Sequence, residues 1–129
     1  ARNEPGPFQL QAAINAVHAD ARRADEVDWR QILQLYDQLF ALQPNPIVAL
    51  NRAVALAEIE GPSTALALVD QLDLAHYYLF HAIRADLLRR LDRHSAAAEA
   101  YGAALARCGN TKERELMQRR RATLEHSRT

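Results

Sequence analysis

Cysteine occurs once in the 129 residues, at Cys108, so no disulfide can close within the chain, and a reducing cytosol is the compartment that fits. Charge of one sign is missing as well. Sixteen basic and sixteen acidic side chains cancel, and no global field draws the chain to nucleic acid or membrane. No apolar run approaches the roughly 20 residues needed to cross a bilayer, and there is no signal peptide. A glycine-rich phosphate loop is absent, and no serine, histidine and acid share a spacing that supports nucleophilic catalysis. Cys108 sits beside a glycine turn without a basic partner, which argues against a nucleophile. An enzyme is therefore not expected, and no cofactor site is evident. Glycine (4) and proline (5) are few and fall at separable points, as short turns between helices require.

What the chain does have is alanine and leucine. Hydrophobic residues make up 49% of it with few β-branched runs, a composition that favours helix, and the length allows one domain with a core. The clearest segment runs from Asp28 to Pro44. Trp29, Ile32, Tyr36 and Leu39 recur at steps of three and four on one helical face, Asp28 is a good N-cap, and Pro44 stops the helix before Asn45-Pro46 opens the next. An aromatic at the start, a second aromatic further on and a closing proline suit the second helix of a tetratricopeptide (TPR) repeat. A buried Trp29 would contribute roughly 3–5 kcal/mol against alanine.

Around it the periodicity predicts six more helices. Helix one runs from Phe8 to about Arg23, with Leu10, Ile14, Val17 and Ala21 as its stripe and Ala13 and Ala16 admitting a neighbour. Helix three spans Asn45-Pro46 to Gly61, and helix four follows Pro62-Ser63 with ALALVDQL. Helix five covers about Ala75 to Leu91, with Tyr78, Leu79, Ala82, Ile83, Leu87 and Leu91 inward. Helix six begins near Ser95 and carries Ala97, Tyr101, Ala104 and Leu105. Helix seven, Thr111 to about His126, opens with Asn110 three residues before Glu113, a variant of the capping box.

Shifting the sequence by 34 residues places Ile32 on Leu66 and Tyr36 on Asp70; a further 31 places these on Ala97 and Tyr101, restoring the aromatic. The expected fold is all-α: a TPR-like array of antiparallel helix pairs, about seven helices in all, with a degenerate middle pair and a C-terminal capping helix. Residues 1–7, opening on Ala1 through RNEPGP, read as the lead-in from a longer protein, 8–126 as one domain and 127–129 as a tail.

Three stretches carry a more specific likeness: GPFQLQAAINAVHADA (6–21), DWRQILQLYDQL with NPIVALNRAVALAEIEGP (28–39 and 45–62), and YYLFHAIRADLLRRLDR (77–93). Together they resemble the C-terminal region of a group of bacterial extracytoplasmic-function (ECF) sigma factors, in which a TPR-like domain is appended to the promoter-reading domains. The likeness extends from about Gly6 to Leu124. It departs at Asp92, where the LGR-type turn of such repeats carries glycine. The resemblance implies a cytoplasmic regulatory and protein-interaction domain acting in transcription initiation, in contact with the sigma core domains, RNA polymerase or a regulator. Promoter reading belongs to the N-terminal domains of such proteins, and no helix-turn-helix with a basic recognition helix is assignable in these residues. Two other readings stay open: a stand-alone TPR scaffold for an unrelated peptide, and a sensor holding a small ligand between the helix layers near His18, Trp29 and His81. Apolar surface exposed where another domain packs would favour a homodimer of the isolated piece.

Among candidate binding residues, Asn51, Glu58, Asp86 and Arg89 fall at helical spacing on first helices, which line the concave groove of a TPR array; a partner peptide would dock there, with His18 as a further contact. The competing reading is structural. Asn51-Arg52 and Arg84 with Asp86 interrupt apolar helices and would be paired, for example Arg52 or Arg84 with Asp86 or Glu58. His18 and His81 read first as buried, hydrogen-bonded histidines, and no cysteine or carboxylate completes a metal spacing around any histidine. Arg114, Arg119, Arg120 and Arg121, interspersed with Glu113, Glu115 and Glu125, read as a solvated face; with no aromatic after Tyr101, direct nucleic-acid contact is not expected.

Overall fold

The computed structural model describes residues 6–20 and 26–127. Residues 1–5 of the lead-in, the expected Ala21–Arg23 end of helix one, the side chains of Glu125, His126 and Ser127, and residues 128–129 lie outside them. Seven helices follow one another: α1 Pro7–Asp20, α2 Trp29–Leu42, α3 Pro46–Glu60, α4 Pro62–Val69, α5 Tyr78–Arg90, α6 His94–Arg107 and α7 Thr111–Ser127. No strand occurs among the described residues. Each helix packs on the next, and α3 also touches α5. The result is an all-α array in which α1, α3, α5 and α7 are the first helices of successive pairs and α2, α4 and α6 the second.

The helix starts follow from side chains that satisfy backbone donors. Asp28 accepts from the Gln31 N–H at 3.2 Å, Asn45 from Val48 at 2.9 Å, and Asn110 from Glu113 at 3.0 Å. Pro46 and Pro62 sit in the first turns of α3 and α4, where a missing N–H costs nothing. Gly61, at φ 99°, both ends α3 and opens α4, a turn that strains any residue with a Cβ.

Two cores result. The smaller joins α1, α2 and part of α3 through Leu10, Ile14, Ile32, Leu39, Val48 and Ala55. The larger runs from α3 to α7 around Leu50, Phe80, Leu87, Leu88 and Tyr101, and Met117 and Leu124 of α7 close it at the end. The expected inward set of α6, Ala97, Tyr101, Ala104 and Leu105, is buried throughout.

Several expectations need correction. Trp29 and Tyr36 are only half-buried, so the fully buried faces of α2 are aliphatic, Ile32 and Leu39. Ala16 is exposed rather than a close-approach site. Helix α4 stops at Val69: the N–H groups of Gln71 and Leu72 bond back to Leu68 and Val69 at 3.2 and 3.0 Å, a tighter winding that ends the helix before Leu72. Helix α5 accordingly starts at Tyr78, not Ala75. Because α5 has α3 and α4 on one side and α6 on the other, Phe80, Ala85 and Leu88 are buried with Leu87, whereas Tyr78, Leu79, Ala82, Ile83 and Leu91 are half-covered.

Helix α5 ends in a Schellman motif. The Arg93 N–H donates to the Leu88 carbonyl at 2.9 Å and the Asp92 N–H to Arg89 at 3.0 Å, which puts Asp92 in the left-handed region at φ 59°. Asp92→Gly is therefore expected to stabilise the chain by about 0.5–1 kcal/mol, because the backbone no longer opposes a Cβ. Urea unfolding of the two proteins checks this; an equal or lower midpoint for the glycine variant contradicts it.

Candidate functional site

The first helices carry most of the charged side chains that meet across elements. Arg52 of α3 pairs with Asp37 of α2, and Arg84 of α5 with Asp70 beyond α4 at 2.7 Å. Asp86 of α5 binds Arg89 one turn on and meets Arg120 of α7 at 3.8 Å; Glu58 of α3 meets Arg90 of α5 at 3.5 Å. The expectation of paired polar residues holds, but the expected partners do not. Arg52 and Arg84 point toward their preceding second helices, so neither reaches Glu58 or Asp86.

Glu58 and Asp86 do come together. With Arg90 and Arg120 they edge a cleft of about 240 Å³ between α3, α5 and α7, floored by Val54, Ala57, Ile83 and Leu87. Both ion pairs at its edge join partly exposed side chains at long distance, a geometry worth little. Arg89 faces the α6 side instead. Asp86 is the main reason its guanidinium is held above the ordinary arginine pKa, with partial burial opposing and the nearby Tyr101 phenol adding to it. Proximity is as far as that last contact goes: among the described residues, no hydrogen-bond partner of good geometry reaches Arg89 Nε or the Tyr101 hydroxyl.

Asn51 lies apart from the charged cleft. It edges a groove of about 520 Å³ at the other end of α3, together with Phe8, Gln11, Leu39, Ile47 and Leu74. Phe8 is 89% exposed there and Ile47 44%. No charged side chain lines this groove, so it differs in chemistry from the cleft.

His18 is exposed, not buried, and its ring stands edge-on to Trp29 at 5.5 Å. His81 is half-buried, meets the Ala75 carbonyl through Nε2 at 2.8 Å and packs edge-on against Phe80 at 5.0 Å. Trp29 packs on the α1–α3 core while Phe80 belongs to the other. The trio His18, Trp29 and His81 is therefore not one site. Tyr36 stays near α1, where burial pushes its phenol pKa up against an opposing hydrogen bond with Gln11.

The arginines of α7 do not form one solvated face. Arg114 is half-buried and bonds the carbonyls of Leu105 and Cys108, the latter at 3.0 Å. Arg120 enters the cleft, Arg121 lies beside Gly102 of α6, and Arg119 is exposed. Glu113 does not reach back to complete the capping box. Its carboxylate accepts from the Tyr78 hydroxyl, and chiefly for that reason the Tyr78 pKa is pushed up to about 12.

Arg90 and Arg120 are the site residues that sequence reasoning missed. Arg90 had a signal, since it follows Asp86 by four and so shares its face. Arg120 had none, being one of three consecutive arginines. Among the described residues no helix is long and apolar enough to cross a membrane.

No family model matches the chain. It is 47% identical over 111 residues to an uncharacterized protein of Rhizobium meliloti (strain 1021), an alignment that covers 84% of this chain and 26% of that protein. The chain thus spans about a quarter of the relative's length.

Proposed function

We propose that this chain is the C-terminal regulatory and protein-interaction domain of an ECF-type sigma factor, non-catalytic and cytoplasmic, acting in transcription initiation through contact with the sigma core domains, RNA polymerase or a regulator. The observation that carries the reading is the α3–α5–α7 cleft, where Glu58, Asp86, Arg90 and Arg120 ring an apolar floor on the first-helix face. Helical arrays bind extended or helical segments on that face. The likeness of residues 6–124 to the appended sigma-factor domain supplies the transcriptional context.

The decisive experiment is in vitro initiation by the full-length parent protein, compared with a version truncated before Phe8 and scored together with binding to core polymerase. Loss of initiation with the remaining domains folded makes the domain a required contact module, and a gain makes it an inhibitory lid. No change in either readout removes the transcriptional role and leaves a stand-alone peptide scaffold.

A further inference from the structure

The charge balance of the α3–α5–α7 cleft specifies what it binds. In the cleft itself two guanidiniums, Arg90 and Arg120, face two carboxylates, Glu58 and Asp86, and because Arg89 neutralises Asp86 from the α6 side, the ion-pair cluster as a whole carries one positive charge in excess. Asp86 is already engaged by Arg89 on the side away from the cleft. Arg90 and Arg120, the two that edge the cavity, are held only at 3.5 and 3.8 Å, beyond the reach of a good charge-assisted hydrogen bond. An incoming carboxylate that bonds either guanidinium in bidentate fashion exchanges a loose contact for a strong one. Below the arginines the floor of Val54, Ala57, Ile83 and Leu87 offers burial to an aliphatic group. The cavity, about 240 Å³, is smaller than the roughly 300–1,000 Å³ of small-molecule pockets and suits one or two side chains of a longer segment.

We propose that this cleft receives an acidic–aliphatic peptide segment of a protein partner. An aspartate or glutamate side chain is taken by Arg90 and Arg120, and a neighbouring aliphatic side chain settles on the Ala57–Ile83 floor. The inference deepens the reading above and rests on it for the identity of the partner, but not for the chemistry of the contact. The uncharged groove at Phe8 and Ile47 has no such complementarity.

The test is an NMR titration of the 129-residue chain. The probes are acetyl-Ala-Leu-Glu-Leu-Ala-amide and its counterpart with glutamine in place of glutamate. The acidic peptide is expected to shift the Ala57, Ala82 and Ile83 signals saturably, and the glutamine peptide to bind at least about tenfold more weakly. The double variant Arg90→Gln/Arg120→Gln, its folding checked by thermal melting, is expected to lose about the same factor. Raising salt to about 0.5 M weakens the acidic peptide alone. Equal binding of the two peptides, unchanged binding by the double variant, or no saturable shift at all overturns the proposal. Equal binding by the glutamine peptide with a free C-terminal carboxylate overturns the assignment to a side-chain acid. The same double substitution in the full-length parent separates the two readings. Initiation that needs the domain but ignores the substitution sinks the cleft inference alone. Peptide binding as stated, with initiation indifferent to the whole domain, sinks only the sigma-factor reading.

Discussion

Tyr101→Ala is expected to lose about 3–5 kcal/mol of stability, while Tyr101→Phe loses nothing or gains up to about 1 kcal/mol. The ring is 1% exposed and sits among the α5, α6 and α7 contributions to the larger core, so its removal opens a cavity that rigid helix packing closes poorly. The hydroxyl is different. Among the described residues it is buried without a hydrogen bond of good geometry, compensated by a place near the Arg89 guanidinium. A polar atom taken from water without a partner costs free energy, so deleting it is harmless to stability even though deleting the ring is not. Urea unfolding of the three proteins at neutral pH separates the contributions. If the phenylalanine variant falls by more than about 1 kcal/mol, the hydroxyl is bonded in solution and Arg89 is the group to examine.

Arg114→Ala is expected to lose about 1.5–3 kcal/mol, far more than an exposed arginine of the same helix. The last carbonyls of α6 have no partners within their own helix, and the chain leaves through Cys108 in extended geometry, with Gly109 after it not taking the left-handed conformation that would close the end. Arg114 supplies the missing donors from outside, reaching the carbonyls of Leu105 and Cys108. It also places positive charge at the negative end of the α6 dipole. Without it, α7 keeps its cap at Asn110 but loses its strongest polar tie to α6. Its apolar hold then rests mainly on Met117 and Leu124. Arg119→Ala, on the exposed face, serves as the control and should move stability by less than about 0.5 kcal/mol. Similar losses for both variants would mean that the Arg114 contacts contribute nothing net.

The elements visible in the sequence are those written in local chemistry. Asp28, Asn45 and Asn110 announce helix starts because capping depends on a side chain three residues from the donor it satisfies. The all-helical architecture and the buried stripe of α6 follow from periodicity alone. What stayed hidden depends on other helices. The partners of Arg52 and Arg84 are set by which neighbour lies beside α3 and α5, and no sequence interval encodes that. Trp29 looks like a core residue by type, yet it begins α2 at the margin of the smaller core, where only part of the indole is covered. The candidate groove divided for the same reason: Glu58 and Asp86 share a cleft because α3 touches α5, while Asn51 lines the separate groove beside the first turns of α3.

The division of the interior into two cores bears on cooperativity. Among the described residues, α3 alone contributes to both, with Val48 and Ala55 turned to one and Leu50, Ala53 and Ala57 to the other. In a linear array, stability is approximately a sum of unit and neighbour terms, and a terminal unit can open while the rest stays folded. Helices α1 and α2 can thus swing away from α3 as a unit while the charged cleft, built wholly from α3, α5 and α7, keeps its shape. Such an opening uncovers the apolar inner side of α3 next to Ile47 and so makes a sticky terminus, while the charged cleft stays ordered on the remaining helices.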